Sequence, residues 1–322
     1  MICDESVIGR YQSGLQFSPL EDPQSWLFLN KGSANAVFRH VTDDSSFSGK
    51  VIRLRLANSK IRTKEIYDYI VDNFSALEDY LPRMDMVTLH QGFVNDLQHS
   101  SGVMLNLDDP NGILMDNLFQ HPVSTIKLNK HIIFHFNERN DESLFELKPK
   151  WLYDPPAEIK YCRNCSLLKY KNEKIITCNL KLLSRDTLDE WCNDIIENLP
   201  NQLPGCLTGS EVGMQLKSAM KENFDVIQKI YHLQNRKGFN AHERLLNLKS
   251  EDDVDDFLRY SMTLKDMTIV VGLYSKKLTI LDLDKKSCSK WKSWQNQEAS
   301  LSQYYTLPDC QRGLKSCCTR AN

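Results

Sequence analysis

Near its carboxyl end the chain reads Met267-Thr-Ile-Val-Val-Gly-Leu-Tyr-Ser-Lys-Lys-Leu-Thr-Ile-Leu-Asp-Leu-Asp284. Two apolar runs rich in β-branched residues, separated by a short polar turn, predict an antiparallel hairpin. If Tyr274 pairs with Leu278, then Thr268 pairs with Asp284, because paired positions move in opposite directions from the turn.

The same register gathers polar residues at one end of the hairpin. It brings Asp266 level with Lys286, and it places Asp282 and Asp284 two residues apart on one face. Three carboxylates in one place repel one another unless a cation lies among them. The pattern therefore predicts a site that binds a metal ion.

A second charged segment, Phe145-Glu-Leu-Lys-Pro-Lys150, has the alternation of a strand. Glu146, Lys148 and Lys150 share one face. Pro149 has no amide N–H to donate, which places the strand at an edge or beside an opening. Phosphoryl transfer needs lysines for the phosphates, a carboxylate that takes the proton of an alcohol, and further carboxylates for Mg²⁺. The strand and the hairpin together predict such a site.

Composition argues against several classes of protein. The 322 residues are 41% hydrophobic and 25% charged, which is typical of globular proteins. The formal net charge of −2 argues against the broad basic surface that binds nucleic acid or anionic lipid. No apolar run approaches the roughly 18 residues of a membrane span, and the first residues lack the basic character of a signal peptide. We therefore expect an intracellular protein with no nucleic-acid and no membrane partner.

The ten cysteines are scattered through a long chain with no sign of an export signal, so reduced thiols are expected. Cys162 and Cys165 have the spacing of a zinc knuckle, and Cys178 follows them. A closed structural zinc site needs four ligands, and no fourth Cys or His follows at a suitable interval. The pattern favours packed thiols over zinc.

The first part of the chain predicts a β-rich unit. Residues 1–25 are polar and irregular. A hairpin is expected from Trp26-Leu-Phe-Leu29, a turn with one glycine, and Ala36-Val-Phe38. An alternating strand at 49–56 and a helix capped by Ser59 follow. This order of elements opens many nucleotide-binding kinase lobes, which is an analogy of fold.

The later part of the chain predicts three more strands and several helices. The strands are expected at 124–128, 132–136 and 144–148. Helical spacing of apolar residues predicts helices over 186–199, 212–231 and 251–262. The fold class is therefore α+β.

Six short motifs carry a resemblance to a known family. They are Gly32-Ser-Ala-Asn35, Lys50-Val-Ile-Arg53, Glu146-Leu-Lys-Pro-Lys-Trp151, Tyr161-Cys-Arg-Asn-Cys165, Met262-Thr-Leu-Lys-Asp266 and Asp282-Leu-Asp-Lys-Lys286. With these motifs in this order, the chain resembles the inositol pentakisphosphate 2-kinases, most closely the fungal members. The last motif departs from the family's Asp-Leu-Asp-Leu-Lys-Pro at Lys285 and Ser287. His-Arg-Asp and Asp-Phe-Gly motifs are absent, which argues against an ordinary protein kinase.

The resemblance implies a two-lobed kinase-like fold. The amino-terminal lobe, residues 1–127, would be a mostly antiparallel sheet that binds ATP. The carboxyl-terminal lobe, residues 128–322, would be larger and rich in helices, with a hinge near residues 128–131 and the catalytic β-hairpin. The implied enzyme is an inositol-pentakisphosphate 2-kinase, which transfers the γ-phosphate of ATP to the 2-hydroxyl of inositol 1,3,4,5,6-pentakisphosphate and forms inositol hexakisphosphate (InsP6, phytate). The family also implies Mg²⁺, a monomer, and a location in the nucleus, the cytoplasm or both.

The resemblance assigns roles residue by residue. Asp266 would take the hydroxyl proton, and Lys148 would contact the transferred phosphate. The Mg²⁺ ligands would be Asp282 and Asp284. The ATP-binding residues would be Lys31, Gly32, Ser33, Ala34, Asn35, Arg53 and Glu146. The inositide would be bound by Lys150, Arg163, Lys169, Lys171 and Lys286.

The charge of the implied substrate agrees with this set of residues. Five phosphates at about −1.5 to −2 charges each carry about −7.5 to −10 in total. The cations in or near the motifs are Lys148, Lys150, Arg163, Lys169, Lys171, Lys265 and Lys286. They are enough to hold the substrate if the fold brings them together.

Two alternatives stay open at this point. One is a catalytically inactive kinase-like fold that senses inositol polyphosphates. The aspartates of the last two motifs argue against it, because a sensor has no need of metal ligands. The other is a cysteine-rich nucleic-acid adaptor built on residues 162–178. It would require bound zinc, and the acidic net charge disfavours it.

Overall fold

The computed structural model describes residues 22–42, 46–119, 124–136, 142–152, 162–203, 207–236 and 240–305. This part of the chain is α+β, as predicted, and the chain divides into two compact units, residues 1–121 and 122–322. Most of the predicted polar extension, and Tyr161 of the fourth motif, lie outside the described residues.

The first unit contains a five-stranded antiparallel sheet in the order β1-β2-β3-β5-β4. Its strands are β1 (Trp26–Lys31), β2 (Asn35–His40), β3 (Lys50–Arg55), β4 (Met84–Thr88) and β5 (Asn111–Asp116). Its helices are α1 (Thr63–Asn73) and α2 (Gln91–Ser101). The predicted opening hairpin is therefore present as β1 and β2.

One hydrophobic core cluster of the first unit lies between the sheet and α2. Ile52 and Leu54 of β3 are 0% and 2% exposed, and they belong to one cluster with Phe93 and Leu97 of α2. Period-2 alternation places Ile52 and Leu54 on the same face of the strand. Burial of this apolar face is the main stabilising contribution of the sheet.

The prediction that Ser59 caps the first helix is wrong. The hydroxyl of Ser59 donates instead to the carbonyl oxygen of Ala34, at 2.8 Å. The helix begins four residues later, where the N–H and the hydroxyl of Thr63 both donate to Asp109, at 2.7 and 2.8 Å. A buried carboxylate from a distant loop thus satisfies an amide that a local cap would otherwise satisfy.

The second unit contains another five-stranded antiparallel sheet, in the order β10-β9-β8-β7-β6. Its strands are β6 (Ser124–Asn129), β7 (Ile132–Phe136), β8 (Leu144–Leu147), β9 (Thr268–Gly272) and β10 (Leu278–Leu281). The three predicted strands between 124 and 148 are confirmed. Residues 128–131, predicted as a hinge, form the end of β6 and the turn that leads into β7. The second sheet therefore begins before the predicted hinge, at Ser124.

Seven helices are described in the second unit: α3 (Arg163–Tyr170), α4 (Arg185–Ile196), α5 (Gly209–Glu222), α6 (Phe224–Gln234), α7 (Ala241–Leu246), α8 (Asp256–Leu264) and α9 (Trp291–Tyr305). The single helix predicted over 212–231 is wrong, since two helices meet at Asn223. The side-chain amide of Asn223 donates to the carbonyl oxygens of Ala219 and Lys276, at 2.8 and 2.7 Å. Across the described residues, no helix has the length and apolar character that a bilayer crossing requires.

The hairpin is present, but its predicted register is wrong. Leu278 pairs with Val271 rather than Tyr274, and Thr268 pairs with Leu281 rather than Asp284. The reason is a longer turn: Glu142 accepts the N–H groups of Tyr274 and Ser275 at 2.9 and 3.0 Å, which removes both residues from the ladder. Asp282 and Asp284 consequently follow the strand instead of facing its partner.

Strand pairing brings three distant segments to one end of the second sheet. Leu147, the last residue of β8, pairs with Ile269 near the start of β9. The start of β9 in turn pairs with Leu281, the last residue of β10. Antiparallel order therefore places the residues after β8, before β9 and after β10 side by side. These are the three segments in which the sequence predicts the catalytic groups.

Candidate functional site

A cavity of about 350 Å³ lies at this end of the second sheet. Its wall carries a high density of positive charge, from Lys130, Lys148, Lys150, Arg163, Lys171, Lys265, Lys286 and Lys290. Among the described residues that line it, Asp266 is the only carboxylate. Both the size and the charge fit a compact polyanion.

Asp266 lies between two lysines. Its Oδ1 is 2.5 Å from Lys150 Nζ, and its Oδ2 is 2.6 Å from Lys286 Nζ. Burial alone would raise the pKa of Asp266, but the ammonium groups of Lys286 and Lys150 outweigh burial and hold that pKa well below its usual range. The predicted proximity of Asp266 and Lys286 is confirmed, and the carboxylate is ionised at neutral pH.

The backbone is held in an uncommon conformation at two residues of this region. Lys150 and Asp282 have positive φ angles of 51° and 64°, in the left-handed region that side chains disfavour. Such a conformation costs about 1–3 kcal/mol and persists only where the surroundings impose it. At Lys150 it accompanies a side chain that reaches Asp266, which is consistent with a functional constraint.

Lys148 links the strand to the segment after the hairpin. Its Nζ is 3.4 Å from Asp282 Oδ2 and 4.0 Å from Glu146 Oε1. Glu146 is also bonded to His135 at 3.1 Å, and this hydrogen bond, together with the charge of Lys148, lowers the pKa of Glu146 despite its partial burial. All three site residues of the β8 segment, Glu146, Lys148 and Lys150, thus have defined ionic partners.

The aspartates after the hairpin do not form the predicted three-carboxylate cluster. Asp282 is exposed and accepts a hydrogen bond from the hydroxyl of Thr268, whereas Asp284 is half-buried. The charge of Asp266 is neutralised by lysines. Among the described residues, Asp266 does not belong to any group of three acidic side chains whose ligand atoms lie within 4.8 Å of one another. Asp282 and Asp284 have the oxygen donors that Mg²⁺ prefers, so these two residues could hold the ion.

Arg163 is engaged by a buried ion pair. Its guanidinium donates twice from Nε and Nη2 to Glu298, a residue that is 0% exposed, and it lies 3.6 Å from the centroid of the Trp151 ring. His242 contacts the same carboxylate at 2.7 Å. The charge of Arg163 is therefore balanced within the protein, and the residue forms part of the cavity wall.

Three basic side chains in the wall have lowered pKa values, and for Lys290 the causes are burial and then the charge of Lys286. Burial, followed by the charge of Lys150, lowers the pKa of His131 to about 4, so His131 is neutral at pH 7. Burial, followed by the charge of Arg163, lowers the pKa of Lys265 to about 7. Lys265 Nζ donates to Gln234 O and Ser261 Oγ at 3.1 and 2.7 Å. Its charge is close to balance between the two protonation states.

The remaining predicted inositide residues fall in different places. Lys171, at the end of α3, lines the cavity, whereas Lys169 is exposed and is not among the lining residues. Lys130 and Lys290 line the cavity but were missed by sequence reasoning, since they lie outside the recognised motifs. Lys290 follows Lys286 by four residues, and this spacing was the one signal that could have indicated it.

The predicted ATP-binding residues, except Glu146, lie in the first unit. Gly32, Ser33 and Ala34 form the turn between β1 and β2. Asn35 accepts a hydrogen bond from Arg55 Nη1 at 2.7 Å, which ties the end of this turn to β3. Lys31, Gly32 and Ser33 are exposed, and Arg53 of β3 is half-buried. The N–H of Gly32 donates to the carbonyl oxygen of Asn35 at 2.9 Å, so the turn is closed by its own backbone and exposes one lysine.

Comparison with known proteins adds an independent finding. The family model described as inositol-pentakisphosphate 2-kinase matches residues 28–252. A Debaryomyces hansenii protein named inositol-pentakisphosphate 2-kinase is 25% identical over 94% of this chain and 97% of its own length. Proteins of the same name from Yarrowia lipolytica and Saccharomyces cerevisiae are 26% and 28% identical, over 87% and 73% of this chain and 91% and 83% of their own lengths.

Proposed function

Since this chain belongs to the inositol-pentakisphosphate 2-kinase family, we propose that it transfers the γ-phosphoryl group of ATP to the 2-hydroxyl of inositol 1,3,4,5,6-pentakisphosphate and forms InsP6. We further propose that its two units act as the lobes of a kinase-like fold. The observation that carries the proposal is the position of Asp266, a single carboxylate held by Lys150 and Lys286 in a cavity lined by cations.

The cavity is the proposed binding site for the inositol phosphate. The five phosphates of the inositol pentakisphosphate carry about −7.5 to −10 charges in total, and a pocket without several cations could not hold them. Lys150, Lys171 and Lys286 would bind phosphates directly, with Lys130 and Lys290 as additional contacts. Arg163 would act mainly by shaping the wall, because Glu298 already balances its charge. Lys169 would contribute to the surrounding potential rather than to a direct contact.

Asp266 is the proposed acceptor of the hydroxyl proton. The lowered pKa of Asp266 keeps the carboxylate ionised and ready to accept a hydrogen bond from the alcohol. When phosphates engage Lys150 and Lys286, part of their positive field is neutralised, which raises the basicity of Asp266. Phosphoryl transfer demands little from a base, since most of the rate enhancement comes from positioning and charge stabilisation.

Lys148 is the proposed contact of the transferred phosphoryl group, and Asp282 and Asp284 are the proposed Mg²⁺ ligands. The ionic contact between Lys148 and Asp282 supports both assignments. It places the ammonium group of Lys148 beside a carboxylate that would face Mg²⁺ and the phosphate. Mg²⁺, when bound, supplies charge neutralisation for the phosphates of ATP. Lys31, Gly32 to Asn35, Arg53 and Glu146 are the other residues proposed to bind ATP.

We also propose that the enzyme acts as a monomer inside the cell, in the nucleus, the cytoplasm or both. The described cysteines, Cys162, Cys165, Cys178, Cys192 and Cys288, form no disulfide bonds with one another, which is consistent with reduced thiols. Reduced thiols are the norm in intracellular proteins.

The proposal is tested by incubating the purified protein with Mg²⁺-ATP and inositol 1,3,4,5,6-pentakisphosphate, and by separating the products on an anion-exchange column. We expect an InsP6 peak that grows with time and that disappears when Mg²⁺ is chelated. Binding of the pentakisphosphate without any InsP6 would instead identify a sensor. Turnover of ATP with no new inositide peak would refute the proposed acceptor.

A further inference from the structure

A buried glutamine lies beside the segment that carries Lys150. Gln234, the last residue of α6, is 1% exposed. Its Nε2 donates to the carbonyl oxygens of Lys150 and Leu264, at 3.1 and 3.0 Å, and its Oε1 accepts the N–H of Leu152 at 3.0 Å. Both N–H donors of the amide and its oxygen are therefore used, and every partner is a backbone group.

The segment after β8 makes few backbone hydrogen bonds of its own. The strand ends at Leu147, and residues 148–152 belong to neither a helix nor a strand. The N–H of Lys148 donates to His131 O at 2.8 Å, and the N–H of Leu152 reaches Lys150 O at 3.0 Å, whereas Pro149 has no N–H to donate. Other groups must therefore hold this segment in one conformation.

Side-chain amides supply the missing partners. Asn179 donates to Pro149 O, and Asn235 donates to Leu152 O, both at 2.6 Å. Together with the bond from Gln234 to Lys150 O, they engage three carbonyl oxygens of the segment. Buried polar groups whose hydrogen bonds are satisfied make a structure rigid. The conformation that they hold includes the positive φ of 51° at Lys150, which persists only where the surroundings impose it.

Gln234 also contacts the segment that carries Asp266. Its side chain bonds Leu264 O, two residues before Asp266, and its own carbonyl oxygen accepts Lys265 Nζ at 3.1 Å. One residue thus connects the backbone after β8 to the backbone before β9. The contact between Lys150 Nζ and Asp266 Oδ1, at 2.5 Å, joins the same two segments.

We propose that Gln234 is a positioning residue of the inositide site, which holds the backbone of Lys150 so that its ammonium group lies in the cavity against Asp266. Gln234 itself is not among the described residues that line the cavity, so it acts through Lys150. The inference rests on the proposed function, in which Lys150 binds a phosphate of the inositide. Loss of the amide should release Lys150 from its left-handed conformation and separate its ammonium group from Asp266.

A double-mutant cycle on inositol pentakisphosphate affinity tests this. Gln234→Met keeps the approximate length of the side chain and removes the amide. It should weaken binding by about 10- to 100-fold in isothermal titration calorimetry, the effect of losing a charge-assisted contact. In a Lys150→Met background the same change should have little further effect, because residues that act through one another are not additive. Equal fold-losses in both backgrounds would overturn the proposal.

Steady-state kinetics separates positioning from a general loss of structure. In Gln234→Met the KM for the inositide should rise, while the KM for ATP stays unchanged. Equal increases in both KM values would overturn the proposal. The matched control is Gln228→Met on the same helix, where a half-buried glutamine donates to Leu183 O at 3.0 Å. This variant should leave both KM values unchanged.

A second variant covers failure to fold. If Gln234→Met does not fold, Gln234→Asn takes its place in the same cycle. The asparagine side chain keeps an amide but is one methylene shorter, so it should not reach both carbonyl oxygens. The same non-additivity with Lys150→Met is expected, and additive losses would refute the proposal.

The proposed function and this inference can fail separately. If the unchanged chain binds inositol pentakisphosphate but forms no InsP6, the kinase assignment fails and the binding cycle still decides the role of Gln234. If the unchanged chain does not bind the inositide, a crystal structure of the folded Gln234 variant decides. We expect Lys150 to lose both its positive φ and its contact with Asp266, and retention of both would refute the proposal.

Discussion

Lys150 Nζ lies 2.5 Å from Asp266 Oδ1, although the two residues are 116 positions apart in the chain. The pairing of β8 with β9 creates this contact, because it places the residues after one strand beside those before the other. The positive φ of Lys150 accompanies the contact. The residue proposed to accept the hydroxyl proton and a lysine proposed to bind a phosphate thus form one ion pair.

Lys290 and Lys169 form a natural pair for testing the cavity. Lys290 lines it and Lys169 does not. Loss of a charge-assisted contact costs about 1.5–3 kcal/mol, or about 10- to 100-fold in affinity. Lys290→Ala should therefore weaken inositol pentakisphosphate binding by this factor in isothermal titration calorimetry, whereas Lys169→Ala should change it little. Equal losses in both variants would show that the general potential, rather than the cavity, binds the ligand.

Asp282→Asn should increase the Mg²⁺ concentration required for half-maximal activity. Even the hydrogen-bond partners of metal ligands affect metal affinity by about 10–100-fold, so removing the charge of a ligand should have an effect of at least about tenfold. The measurement is a Mg²⁺ titration of initial rate at saturating inositide. Asp225→Asn, at an aspartate that is 91% exposed and outside the site, is the control. An unchanged Mg²⁺ requirement in Asp282→Asn would remove Asp282 from the metal site.

Glu298→Ala should destabilise the protein strongly. It would leave Arg163 buried without its counter-charge, and breaking a buried pair typically costs about 3–5 kcal/mol. Glu222→Ala removes the exposed partner of Lys276, and such surface pairs contribute about 0–1 kcal/mol. Urea denaturation of both variants checks the difference. A loss below about 1 kcal/mol for Glu298→Ala would show that the pair is dispensable.

The lowered pKa of Lys265 predicts that the free energy of unfolding depends on pH. Its pKa is about 7 in the folded protein and 10.5 as the reference value, so between these pH values the unfolded chain binds more protons than the folded one. The free energy of unfolding should then rise with pH across this window, by up to about 1.4 kcal/mol per pH unit, and this contribution should be lost as the pH falls to 7.

The comparison variant for this prediction is Lys265→Met, which keeps the length of the side chain and removes the titrating group. Its unfolding free energy, measured from pH 7 to 10, should lack the rise that Lys265 causes. Lys169→Met, at an exposed lysine, should keep it. Identical pH profiles for Lys265→Met and the unchanged protein would show that Lys265 titrates normally.

Local patterns predicted the strands that carry the site but not their exact alignment. Alternation around Lys148 and Lys150 and the apolar runs after Asp266 were sufficient to predict strands that meet near a site. The register failed because Glu142, a residue distant in sequence, holds the amides of Tyr274 and Ser275. Long-range hydrogen bonds of this kind leave no periodic signal.

Sequence patterns also failed to predict several other elements, because these too depend on long-range contacts. Strands β4 and β5 and helix α9 have apolar residues whose spacing is irregular, so their positions depend on packing. Glu298 of α9 appears in the sequence as an ordinary polar residue, yet it is fully buried against Arg163. The sequence likewise could not predict that Cys162, Cys165 and Cys178 come together, because this depends on how an irregular segment folds back onto α3.

The most direct test of the account compares Asp266→Asn with the unchanged enzyme in two assays, InsP6 formation and inositol pentakisphosphate binding. General base catalysis contributes about 10²- to 10⁴-fold, so kcat should fall by that factor. Binding should be retained or become tighter, because Lys150 and Lys286 lose a competing anion. A kcat within about tenfold of the original value, or loss of binding in a folded variant, would contradict the role assigned to Asp266.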